Sequence, residues 1–152
     1  MNLTEQQKTL IQDLQAQEQL CIQKYTEYEN LARDRELKTL FGTIRQQEEN
    51  HYNSLSQLLS GTCPEVGPKE SLAEQYNPTP TYVGAYKQED KDYDKYLCTD
   101  TITTEKYVST AYNDDLFQFG ETNIRQLLND IQTEEQEHAE MIYKYKTVNN
   151  MI

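Results

Sequence analysis

Basic residues are scarce: 14 Lys and Arg against 26 Asp and Glu leave this 152-residue chain a formal net charge of −12. Nucleic acids and anionic membrane surfaces are recognised by clustered cations, so the charge balance excludes both as partners. Cysteine is scarce too. Cys21, Cys63 and Cys98 are odd in number and form no C-x-x-C pair, which excludes a four-cysteine zinc or rubredoxin-type site and fits a reducing compartment. No apolar run approaches the roughly 18 residues of a membrane-spanning helix, so no membrane insertion is expected. MNLTEQQKTL lacks the basic start and apolar core of a secretory leader, so the expected location is cytoplasmic. Apolar residues are themselves few: Leu, Ile, Val and Phe total 30 of 152. That fraction at this charge borders on the composition of disordered chains. Folding therefore depends on how the few are arranged.

Proline is absent outside one window. Pro64, Pro68, Pro78 and Pro80 fall within 17 residues, and proline breaks helix interiors. The spacing predicts a single domain over 1–152, with a helical hairpin at about 4–60, a crossover loop at about 61–93 and a second hairpin at about 94–148. One short helical turn is expected at SLAEQ within the loop. Leu3-Thr4-Glu5-Gln6-Gln7 has the form of an N-terminal capping box. Asp34 is placed to cap a second helix, and Gly61 to end it. Four apolar stripes recur at three- and four-residue steps. They are Leu10–Ile11–Leu14–Cys21–Ile22–Tyr25–Tyr28, Leu37–Leu40–Phe41–Ile44–Leu55–Leu58–Leu59, Leu97–Cys98–Thr101–Val108–Tyr112–Leu116, and Ile124–Leu127–Leu128–Ile131–Ile142–Tyr145. Four helices of roughly 25 residues, each nearly 40 Å long at about 1.5 Å per residue, suit an all-α four-helix bundle.

Each stripe is interrupted at its middle by acid: Glu18, Glu48 with His51, Glu105, and Glu135 with His138. An offset of 87 residues lays Glu18 on Glu105, Tyr25 on Tyr112, Glu48 on Glu135 and His51 on His138. The chain thus reads as two copies of one hairpin in approximate twofold symmetry. Burying a carboxylate is costly unless something pairs with it, and four at one level require cations. Glu-x-x-His places both side chains on one helix face, one turn apart. Four carboxylates and two imidazoles form the ligand set of di-iron and di-manganese bundles, and two divalent ions would balance the four charges. The two histidines are the only ones in the chain, and both stand in this pattern. Tyr25 and Tyr112, seven residues beyond Glu18 and Glu105, are either phenols bonded to a ligand carboxylate or core tyrosines satisfied elsewhere. Cys21 and Cys98 read as buried small apolar residues, and Cys63 as a loop thiol.

The arrangement Glu18 … EENH (48–51) … Glu105 … EQEH (135–138) resembles the ferritin-like superfamily, particularly its rubrerythrin-like members. The resemblance implies that Glu48 and Glu135 bridge two metal ions, Glu18 and Glu105 are terminal ligands, and His51 and His138 are end ligands. It also implies that the loop crosses the length of the bundle. Residues 97–151, through TEKYVSTAYN and NIRQLLNDIQTEEQ, are similar to the Coat F family, known from bacterial spore coats and assigned to the ferritin-like fold.

Two functions are therefore expected. One is a non-haem di-metal oxidoreductase of peroxidase, ferroxidase or catalase type. It would use two iron or manganese ions on peroxide or dioxygen, with no catalytic residue beyond the ligands. Without rubredoxin cysteines its electron donor would be a separate protein. The other is a structural spore-coat protein whose metal site is stabilising or inert. Its partners would be coat proteins or further copies of this chain, and Tyr76, Tyr82, Tyr86, Tyr93 and Tyr96 in the loop would either dock a partner or be cross-linked by oxidation.

Overall fold

The computed structural model describes residues 1–152, and the chain is all-helical. Four long helices, α1 (Glu5–Leu31), α2 (Arg35–Leu59), α4 (Gln88–Leu116) and α5 (Thr122–Val148), are joined with one short one, α3 (Leu72–Gln75). Their ends follow local signals. The Gln7 amide donates to Thr4 Oγ1 at 3.1 Å while the Thr4 amide donates to Gln7 Oε1 at 3.0 Å, closing the capping box that starts α1. The Glu36 amide donates to Asp34 Oδ1 at 3.2 Å and starts α2. At its far end Gly61 takes a φ of 102°. There the Gly61 amide bonds Leu58 O and the Thr62 amide bonds Gln57 O, the Schellman closure for which glycine is suited. Ser71 caps α3 by accepting from the Glu74 amide.

The second hairpin begins sooner than its apolar pattern indicates. Helix α4 starts at Gln88, six residues before the expected 94. QEDKDY carries no aliphatic residue to set a period, but Glu89 and Asp90 in the first turn suit a helix N-terminus.

Contacts between side chains fix how the helices run. Gln15 bonds Ser56 across α1 and α2, and Lys146 bonds Thr99 across α5 and α4. Tyr28 bonds Asp100 while Tyr112 bonds Glu18, so α1 and α4 are antiparallel. The chain must consequently return along the whole length of the helices between α2 and α4. It does so as a strap lying on α5: Lys69 meets Asp130, Ser71 meets Glu137, Lys144 donates to Tyr76 O, and Asn149 Oδ1 accepts from the Thr81 and Tyr82 amides. Between the helices, 25 buried apolar residues form one continuous core. Most of the expected stripe residues belong to it, whereas Leu10, Ile22, Tyr28, Leu59 and Leu116 sit at its edge, half-buried.

The strap ends in a polar junction centred on Asp94, which is fully buried at the start of α4. Its two oxygens accept the Arg33 amide at 2.8 Å and the Asp34 amide at 2.9 Å, satisfying the turn between α1 and α2. The Tyr82 hydroxyl donates to the same carboxylate, and the Tyr145 hydroxyl donates to Asp34 Oδ2 at 2.6 Å. The loop tyrosines thus divide. Tyr76 and Tyr82 are tied inward, to Glu36 and Asp94, while Tyr86 and Tyr96 stand exposed. Replacing Asp94 by Ala orphans two backbone amides at once and is expected to cost about 2–4 kcal/mol. Urea unfolding should read that loss, and hydrogen exchange at Arg33 and Asp34 should rise with it.

Candidate metal centre

The six residues singled out by the repeat meet at one level of the helices, and all are buried. Glu18, Glu48, Glu135 and His138 are 0 % exposed, Glu105 1 % and His51 3 %. Helix α1 contributes Glu18, α2 Glu48 and His51, α4 Glu105, and α5 Glu135 and His138. Their donor atoms fall into two overlapping groups: Glu18, Glu48, His51 and Glu135, and Glu48, Glu105, Glu135 and His138. Within each group the atoms lie within 4.8 Å of one another. Glu48 and Glu135 belong to both, so each group joins one private glutamate and one imidazole to a shared pair.

The imidazoles point Nδ1 into the cluster. His51 Nδ1 lies 2.9 Å from Glu135 Oε1 and 3.6 Å from Glu18 Oε1, and His138 Nδ1 lies 2.7 Å from Glu48 Oε1 and 3.4 Å from Glu105 Oε1. The rings face each other at 5.8 Å between centroids, 21° from parallel. Two residues not anticipated from the sequence hold the outer nitrogens. Glu134 Oε1 lies 3.0 Å from His51 Nε2, and Gln47 Oε1 lies against His138 Nε2. The signal for them was the repeat itself. Residues 47 and 134 are 87 apart, and each immediately precedes a shared glutamate.

The tyrosines resolve in favour of the carboxylate-bound alternative, with a crossed pattern. Tyr25 donates to Glu105 Oε1 at 2.5 Å and Tyr112 to Glu18 Oε1 at 2.7 Å. Each phenol therefore fastens the private glutamate of the opposite hairpin. Both hydroxyls are held far above their ordinary range, by burial first and by neighbouring glutamates second. Cys21 and Cys98 are buried, as expected, and Cys63 is half-buried in the loop. Burial and the surrounding glutamates also push the Cys21 thiol upward, so it stays protonated.

Much of the cluster's polar capacity has no partner. Glu18 Oε2, both oxygens of Glu48, Glu105 Oε2, Glu135 Oε2 and His138 Nδ1 are buried without a hydrogen bond. Native interiors leave few such atoms, and each calls for an explanation. Oxygen-rich, mixed O/N donors crowded into two adjacent groups suit a pair of divalent first-row ions. With metal absent, protons take over the compensation. Burial, then the charges of its neighbours, raises Glu48 well above the carboxylate range, and Glu18 and Glu105 rise for the same reasons. Burial alone would lower His138, but Glu105 and Glu135 raise it to about 10. Burial likewise opposes the charge on His51, yet bonds to Glu134, Glu135 and Glu18 raise it. Burial opposes the charge on Glu135 as well, but the Glu105 carboxyl and the two imidazoles beside it hold it well below the usual value.

Among known families, the Coat F domain matches residues 93–150, which covers α5 and most of α4. No curated protein and no solved structure matches the chain. No helix is long and apolar enough to cross a membrane.

The metal-free chain should have a distinctive pH dependence. Above the ordinary glutamate value of 4.5, the unfolded chain releases protons that Glu18, Glu48 and Glu105 keep when folded, so stability falls. The histidines contribute stability that is complete below 6.5 and lost as pH passes through about 10 at His138. Glu134 and Glu135 act oppositely, their share disappearing as pH drops below 4.5. The melting temperature of the metal-free protein should therefore peak near pH ~5 and fall towards pH ~9, and Glu48→Gln should flatten the slope. A melting temperature rising over that interval would contradict this assignment.

Proposed function

We propose that this chain is a single-domain, ferritin-like four-helix protein, with residues 60–87 as its crossover connection, that holds two divalent cations between its hairpins. The reading rests on one observation: two four-atom donor groups share Glu48 and Glu135, and each of the four glutamates has at least one buried oxygen without a hydrogen bond. Iron is the first choice of ion and manganese the second; carboxylates with one imidazole per group suit either. Once bound, such a pair would supply one-electron redox chemistry at each ion to peroxide or dioxygen.

The chain's own part in this is positional. Glu48 and Glu135 would span the two ions, with Glu18 and His51 closing one side and Glu105 and His138 the other. Tyr25 and Tyr112 hold the private carboxylates at one oxygen and leave the second free. With Glu134 and Gln47 placed to accept from the outer imidazole nitrogens, each Nδ1 would turn its lone pair inward once its proton gave way to an ion, as metal-bound histidines require. The core around the site excludes bulk water.

Elemental analysis after anaerobic reconstitution should give two ions per chain, and Glu48→Ala/Glu135→Ala should bind none. Loading should raise the melting temperature, since a ligand taken up by the folded state alone stabilises it. A wild-type stoichiometry near zero would end the proposal.

The match of residues 93–150 to the Coat F domain favours a second reading, in which the protein is a spore-coat component and its ions act as internal braces. In that case the loaded protein gains stability but consumes no peroxide. A fluorescent fusion expressed in a sporulating host should then collect at the forming spore. Diffuse fluorescence throughout sporulation would count against the coat role and leave the redox one standing.

A further inference from the structure

A centre this deeply buried needs a route inward, and the two hairpins differ in what they offer. On the α4–α5 side a surface cavity of about 370 Å³ has Glu105 and Glu135 in its lining. Both are essentially unexposed, and each has one buried oxygen without a partner. One turn further along the same helix faces, the lining continues with Ser109 and Ala139. Lys106 and Gln136, both exposed, stand at the mouth.

The internal repeat supplies the comparison. Shifting by 87 residues puts Ile22 in the place of Ser109 and Tyr52 in the place of Ala139. The seam between α1 and α2 therefore carries a branched aliphatic and an aromatic side chain where the α4–α5 seam carries a hydroxymethyl and a methyl. Nothing in the shared ligand pattern requires that difference, because both helix pairs present the same glutamates and histidine.

We propose that the α4–α5 seam is the inlet through which divalent cations reach the buried carboxylates, kept open by the small side chains of Ser109 and Ala139. The inference rests on the di-metal reading above. Glu105 and Glu135 are the first carboxyl groups of the cluster that the incoming ion meets, and hydration is shed against their unpartnered oxygens. Lys106 is the one cation in the lining and sets the rate rather than the final occupancy, since it lies at the mouth and not in the cluster.

The test is stopped-flow mixing of the metal-free, full-length protein with Co2+, followed by the visible absorption of the bound ion, with final stoichiometry from equilibrium dialysis. Transplanting the closed seam, Ser109→Ile/Ala139→Tyr, should slow uptake by about tenfold or more while still reaching two ions per chain. Opening the other seam in that background, Ile22→Ser/Tyr52→Ala, should restore the rate. Lys106→Gln should speed uptake about two- to threefold at low salt, with the gain shrinking as salt screens the mouth. If the transplanted pair disrupts folding, as judged by circular dichroism, Ser109→Val/Ala139→Val and Lys106→Gln carry the decision. Uptake through global opening would follow each variant's melting temperature instead of the bulk of its seam, and that pattern overturns the inlet. Two ions taken up at the wild-type rate by the plugged variant overturn the inlet alone. A wild type that takes up no ion overturns the di-metal reading as well.

Discussion

Four carboxyl groups in an apolar interior have to be neutralised, and the rest of this structure is arranged around that demand. An isolated ionised carboxylate in a low-dielectric core is prohibitively costly. Here Glu18, Glu48, Glu105 and Glu135 lie together with two imidazoles and no lysine or arginine among them. In the metal-free chain the compensation comes from protons; on the di-metal reading proposed above it would come from cations. Ionisation and stability are therefore two views of one balance, to which the proposed ion binding would add a third, and a change at any of the six residues would move them together.

The same demand explains why the two hairpins are fastened so specifically. Tyr25 reaches from α1 to the glutamate of α4, and Tyr112 reaches from α4 back to the glutamate of α1. A phenol that leaned on its own hairpin's carboxylate would leave the halves free to slide. Crossing the pair makes the register of one hairpin on the other a condition for satisfying both glutamates. At the far end of the helices Asp94 and Asn149 pin the returning strap and the α1–α2 turn to the same junction. The cluster is thus held from the middle by phenols and from one end by backbone caps.

How much of this could be read from the sequence follows from the range of each interaction. Thr4 with Gln7, Asp34 and Gly61 act within a few residues of themselves, and their roles were legible as local motifs. The six cluster residues were legible because they interrupt apolar stripes at matched positions and because the chain spends both of its histidines on them. Asp94 was not. Its partners are the amides of Arg33 and Asp34, 61 and 60 residues away, and nothing in the neighbouring KDYDKY announces an acceptor for another hairpin. The early start of α4 was hidden for a related reason, since a fully polar first turn has no hydrophobic period. The crossed tyrosine pairing lay between these cases: the repeat pointed to the two residues, but only the antiparallel packing of α1 on α4 could say which glutamate each one touches.

The internal repeat means that one hairpin carries half of the donors together with the phenol that secures the other half. Two identical copies would therefore suffice to assemble the whole cluster. Joining them through the strap makes their encounter intramolecular, at an effective concentration fixed by the tether rather than by expression level. It also removes a constraint that identical subunits cannot escape. Encoded once each, the halves are free to differ position by position, as Glu134 differs from Gln47 and Ser109 and Ala139 from Ile22 and Tyr52. Covalent linkage has made a symmetric assembly capable of having a front and a back.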